Sequence, residues 1–229
     1  MITEQRDRWL VAGSPPVPTL VVDGTAHVLQ HPSQAWALLG RSGEPPPGDA
    51  VQVAWDIDEI AGAWLELLER TPWEALLDPL PRLQRTPLDL GVDTLVGIAA
   101  LTEAFSTGWF HWPGNPLTGA TGDAAVVEYL DSLVEGIGSR EELLAFAQPV
   151  AHAWRQALRG HDEALRTEPG RTMGAPRGDL TWVRLLEAQR LHAAQHYRQA
   201  TTFLIACGMP VPSVDLTELH GLELPKFVY

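Results

Sequence analysis

From about residue 56 onward the apolar positions of the chain recur at helical spacing. Ile57, Ile60, Ala61, Trp64 and Leu67 fall on one face with acidic residues between them, and predict a first long helix. A second is predicted from Thr86 to about Phe105. Thr86 can cap it, Pro87 suits the first helical position because no backbone N–H is needed there, and Asp89 complements the positive helix end. A third stretch starts near Asp123, is interrupted around Gly136 to Ser139, and resumes from Arg140 to Leu158, with Pro149 predicting a kink or break. The polar run from Gly160 to Gly178 reads as a loop. The longest periodic segment, Leu180 to Cys207, is ended by Gly208 and Pro210.

The beginning of the chain has a different pattern. TLVVDGTAHVLQ reads as two short strands about Asp23-Gly24, a dipeptide suited to tight hairpins, and HPSQAWALLG as a short helix. SGEPPPGDA cannot continue a helix and reads as a linker, which divides the chain into residues 1–48 and 49–229. Residues 106–122, rich in Gly, Pro and aromatics, form a long connection between predicted helices. The fold class is therefore mainly α: a small β-hairpin and helix followed by a helical bundle. No internal repeat is visible.

Composition narrows the functional classes. At 229 residues the chain can bury a sizeable core, and 45% hydrophobic with 20% charged residues is ordinary for a folded protein. A formal charge of -13 repels phosphate backbones and anionic lipid, so neither nucleic acid nor membrane is an expected partner. With Cys207 as the single cysteine, no intrachain disulfide and no thiolate-cluster zinc site can form. No apolar run is long enough to span a bilayer and the first residues lack a signal-peptide core, so the expected location is cytoplasmic.

The chemistry concentrates in RLLEAQRLHAAQHYRQATTFL. His192 and His196 lie four residues apart, so a helix puts both imidazoles on one face, one turn apart. Two neutral nitrogen donors at that spacing can bind one zinc, nickel or iron ion, or can be surface or hydrogen-bonded core histidines. Arg184, Arg190 and Arg198 share the segment, as a solvated face or as partners for an anion. Cys207 near its end fits a small buried hydrophobe better than a nucleophile. His152 follows the helical pattern toward the interior or the surface, His111 lies in the aromatic connection, and Trp109 and Trp112 there fit either packing or a cover over a ligand.

LLEAQRLHAAQHYRQ resembles the last-helix motif of the DinB-like superfamily, in which two histidines four residues apart are followed by Gln at the position of Gln199. The tail DLTELHGLELPKFVY is similar to that of a subgroup of these proteins. The resemblance is clearest from Trp182 to Tyr229, thinner over residues 52–105, and poor in the middle of the chain. It implies a four-helix bundle in which the two histidines and a third from the second bundle helix hold a divalent metal, and an activity among thiol-dependent transferases and isomerases using a low-molecular-weight thiol. The third ligand of the subgroup falls in a segment matched here by Leu90-Gly91-Val92-Asp93-Thr94, so histidine is replaced by Asp93. Two His and one carboxylate remain a chemically sound donor set.

RWLVAGSPPVPTLVVDGTAHVLQHPSQAWALLG is similar to the latter half of a glutaredoxin domain, with Val17-Pro18-Thr19 at the cis-proline corner. The half that would carry the redox cysteine is missing, which excludes thiol-disulfide chemistry there and leaves a truncated packing or homodimer element. Two readings of the site follow. In one, Asp93, His192 and His196 hold a divalent metal (Zn, Ni or Fe) that activates a thiol or water, or polarises a carbonyl, in thiol transfer, isomerisation or hydrolysis of a small-molecule substrate. In the other, the same residues form a metal-free polar pocket for acid-base catalysis or ligand binding. A non-enzymatic interaction protein is the third alternative.

Overall fold

The computed structural model describes residues 19–22, 25–28, 38, 40, 48–80, 85–111, 122–174 and 179–212. The chain divides into two compact units, residues 1–47 with 229, and residues 48–228. In the first, β1 (Thr19–Val22) pairs antiparallel with β2 (Thr25–Val28), Val22 opposite Thr25, as the expected pair of short strands requires. The predicted helix at HPSQAWALLG, apart from Leu38 and Gly40, and the corner at Val17-Pro18 lie outside the described residues, as do the linker before Gly48, Trp112 and the tail beyond residue 212.

The second unit is mainly helical: α1 (Ala50–Arg70), a single turn α2 (Trp73–Leu76), α3 (Pro87–Thr107), α4 (Gly122–Glu135), α5 (Arg140–Thr167) and α6 (Trp182–Ala206), with a two-residue ladder of β3 (Thr172–Met173) and β4 (Leu180–Thr181) before α6. Among the described residues, no helix is long and apolar enough to cross a membrane.

Four long helices share the core, α1 and α3 each packing on both α5 and α6. Their directions follow from which residues meet. One end of the core joins Ala50–Ile57 of α1, Ile98–Phe105 of α3, Trp154–Leu165 of α5 and Trp182–Leu186 of α6. The other joins Ile60–Leu68, Leu88–Val96, Leu143–Ala147 and Ala193–Leu204 of the same helices. Hence α1 and α6 run one way, α3 and α5 the other. Two successive long helices pointing the same way need a crossover, and α4 lies in that connection, packed on α3.

Local chemistry explains the helix ends. Asp49 caps α1 by accepting from Val51 N at 2.9 Å and Gln52 N at 3.2 Å, so the helix begins before the apolar repeat that announces it. The positions between, Asp56 and Asp58, are buried carboxylates on a packed face. Asp56, 0% exposed, accepts from Arg190 of α6 at 2.7 Å and Gln52 Nε2 at 2.9 Å, and Asp58 accepts from Arg155 Nε of α5 at 3.0 and 3.1 Å. These ion pairs fix the register of α1 against α5 and α6. Gly91 of α3 permits a close approach to α1, since a Cβ there would stand 3.2 Å from Leu68 and Trp64 side-chain carbons.

Two expectations are corrected. α5 runs unbroken through Pro149, which is exposed, so the carbonyl that its missing N–H leaves unbonded faces water, and Leu143, Ala147, Trp154 and Leu158 on the opposite face keep the helix docked. The helix also continues through Gly160 to Thr167, because Leu165 joins the core and Arg166 bonds Asp162 at 2.9 Å, where the polar composition reads as loop.

Asp56→Ala removes the carboxylate facing a guanidinium largely buried between α1 and α6, and is expected to lower stability by about 3 kcal/mol in urea unfolding. Loss of the exposed Arg166–Asp162 pair is expected to leave the transition unmoved within error.

Candidate metal centre

The site is built from the first half of α3 and the middle of α6, which run antiparallel. Thr86 caps α3 in a capping box: its Oγ1 accepts from Asp89 N at 3.1 Å, while Asp89 Oδ2 accepts from Thr86 N at 2.6 Å. The box sets the phase of the helix. Asp93 follows Asp89 by one turn, in a stretch where every residue from Leu90 to Ile98 is buried, and its own exposure is 6%.

Thr181 caps α6 by accepting from Arg184 N at 3.4 Å, and His192 and His196 project toward α3. Their ring centroids lie 4.3 Å apart at an interplanar angle of 71°. His192 Nε2 is 3.5 Å from Asp93 Oδ1, and His196 Nε2 is 3.2 Å from Asp93 Oδ2. One ligand atom from each residue falls within 4.8 Å of the others. The three expected site residues therefore meet, although they come from distant parts of the sequence, and together they can hold a metal ion.

The distances agree with a common ion. Donors placed about 2.0–2.2 Å from one tetrahedral centre stand roughly 3.3 Å from each other, close to the two carboxylate–imidazole separations, which run to different oxygens of Asp93. The tautomer agrees as well. His196 Nδ1 donates to Gln199 Oε1 at 2.9 Å, with Gln199 only 7% exposed, which leaves Nε2 carrying its lone pair toward Asp93. That Nε2 is buried and, although 3.2 Å from Oδ2, lies off the line of a proper hydrogen bond. Two lone pairs facing each other at this distance repel unless a cation lies between them.

Either a proton or a metal ion can supply that cation. Burial pushes the His196 pKa below its ordinary 6.5 more strongly than Asp93 raises it, so the ring is neutral near pH 7. The Asp93 carboxyl is raised by burial, but its contacts with His192 and His196 outweigh this and hold it well below the ordinary carboxylate range. The resulting donor set is an ionised carboxylate and two imidazoles, the composition that Zn, Ni or Fe accepts.

Arg85 is the site residue that the sequence pattern misses. Its Nη2 donates to Asp93 Oδ2 at 2.7 Å and to the Asp89 carbonyl at 3.3 Å, with the side chain 35% exposed. It precedes the helix cap, so no helical spacing relates it to Asp93. The other candidates fall elsewhere. His152 is exposed and contacts Gln156, Cys207 is exposed at the end of α6 in place of the expected burial, and His111 is half-buried beyond the far end of α3. Arg190 bonds Asp56 and Arg184 bonds Glu187, so each has a structural carboxylate partner. Trp109 lies against Gly174, where a Cβ would approach its ring to 2.1 Å, which accounts for this tryptophan by packing.

Comparison with protein-family models, with curated proteins and with solved structures gives no match to this chain.

Gln199→Leu removes the acceptor that orients His196, and is expected to weaken divalent-metal binding about 10- to 100-fold by titration calorimetry while the helix content by circular dichroism stays unchanged. The metal-free protein carries a pH signature. A buried His196 with a lowered pKa binds fewer protons folded than unfolded, so its contribution to stability is present above the unfolded value of 6.5 and is lost as pH falls below it. His196→Gln is expected to flatten that part of the stability–pH curve. The Asp93 contribution, from a lowered carboxyl, is expected to disappear only below the ordinary carboxylate value of 3.8.

Proposed function

We propose that this chain is a small-molecule enzyme of the DinB-like type that works with one divalent ion held by Asp93, His192 and His196. The observation that carries the reading is the meeting of one buried carboxylate and two partly buried imidazoles with a ligand atom of each within 4.8 Å of the others, and with the His196 tautomer set by Gln199. The four-helix arrangement fits the resemblance, since metal sites in such bundles are built from inward side chains on facing helices. Asp93 then takes the place of the third histidine.

When bound, the ion supplies Lewis acidity that lowers the pKa of a thiol or water, or polarises a substrate carbonyl. The chain does the rest. Asp93, fixed by Arg85 and by its place in α3, and the two imidazoles of α6 would hold the ion. The burial of Asp93 limits competition from water for its carboxylate. A low-molecular-weight thiol as co-substrate, and transfer, isomerisation or hydrolysis as the reaction, are the branches that the resemblance supplies.

One observation favours a second reading. The Arg85–Asp93 ion pair at 2.7 Å already gives the carboxylate a cation, so Asp93 and His196 can work without metal as an acid-base pair in a polar pocket.

Elemental analysis of protein purified without a metal-affinity tag separates the two. Wild type is expected to carry close to one equivalent of a transition metal, with His192→Ala and Asp93→Ala each losing most of it. Metal retained in both variants, or wild type that takes up none after supplementation, overturns the metal site. Turnover that is indifferent to added thiol removes the thiol-dependent branch alone.

A further inference from the structure

We propose that Arg85 is a positioning residue that offsets the charge of Asp93, so that the loaded site stays strongly cationic and takes an anionic group of its small-molecule ligand; this rests on the metal reading above. Three observations lead to it. Arg85 Nη2 holds Oδ2 of Asp93, the oxygen that also faces His196, while Oδ1 faces His192. The guanidinium is anchored by the Asp89 carbonyl at the start of α3, so it belongs to the frame of the helix. Among the described residues both of its side-chain bonds are made by Nη2, and the side chain is one-third exposed.

The charge balance gives the consequence. Imidazoles that ligate a metal add no charge, and the single negative charge of Asp93 is matched by the single positive charge of Arg85. A divalent ion in this set keeps its full double charge, in a partly buried site where such a charge is costly without a counter-ion. The group favoured to complete the site is then an anion, such as a carboxylate or another small anionic donor, with the partly exposed guanidinium of Arg85 adding to its attraction. The same guanidinium repels the ion itself, so Arg85 weakens metal binding while strengthening anion binding. A residue that merely braces Asp93 does not have this pair of opposite effects.

The test uses cobalt(II) as the metal, because its visible absorption reports ligand changes, and azide as the anion, at about pH 8, above the ordinary histidine range. In Arg85→Met, cobalt binding is expected to tighten by about tenfold and azide binding to the cobalt form to weaken by about tenfold, from removal of one unit charge a few ångströms away. Arg85→Lys, which restores the charge, is expected to return azide affinity toward wild type. Should Arg85→Met fail to fold, Arg85→Gln keeps a donor to Asp93 without the charge and carries the same two expectations. Weakened cobalt binding, or azide affinity unchanged by loss of the charge, overturns the proposal and leaves Arg85 a structural brace. Failure of wild type to bind cobalt overturns the metal reading itself.

Discussion

A carboxylate buried between two helices needs positive charge or hydrogen-bond donors close by, and Asp93 meets this need in a particular way. It has Arg85 on one oxygen, the two imidazoles of α6 across the interface, and packed apolar neighbours on α3 itself. The frame of the bundle can be understood from this requirement. α3 must start where Thr86 and Asp89 close the capping box, so that residue 93 points inward, and α6 must present positions 192 and 196 at the same level. The remaining ion pairs, Asp56 with Arg190 and Asp58 with Arg155, hold α1 in register with the helices that carry the site.

The arrangement also accounts for the order of the helices. Asp93 lies toward the beginning of α3 and the histidines toward the middle of α6, so antiparallel packing of these two helices brings them to one level. The direction of α5, parallel to α3, forces the long crossover that includes α4. Tyr129, Leu130 and Leu133 of α4 pack against the end of the core that holds Leu90, Val92 and Ala193, so the crossover adds to the apolar shell at the level of the site. Trp109 and Gly174 tie the end of α3 to the short ladder that leads into α6, Phe110 N donating to the Gly174 carbonyl at 2.7 Å.

Much of this was legible from residues close together in sequence. The His192/His196 pair is visible because helical periodicity maps four residues onto one turn, and the start of α3 because Thr-Pro-Leu-Asp is a local capping signal. What escaped depends on distant partners. Asp56 and Asp58, which read as polar positions between the apolar ones, are buried by arginines 134 and 97 residues away. α5 passes through Pro149 and Gly160 because one apolar face outweighs two unfavourable residues on the other, an outcome set by packing against α1 and α3 and invisible to local propensity. Arg85 was silent for the same reason: it lies outside the helix whose side chain it holds. The match of Asp93 with the histidines came through resemblance, since spacing alone relates no residue of α3 to α6.

The central claim is that these three side chains bind one ion together. X-ray absorption spectroscopy at the metal edge, on untagged protein loaded with one equivalent of zinc, reads the ligands directly. The account predicts two imidazole nitrogens and at least one oxygen at about 2.0–2.2 Å, with the imidazole scattering reduced by half in His196→Ala. A spectrum of six oxygens without imidazole scattering, unchanged in that variant, would contradict it.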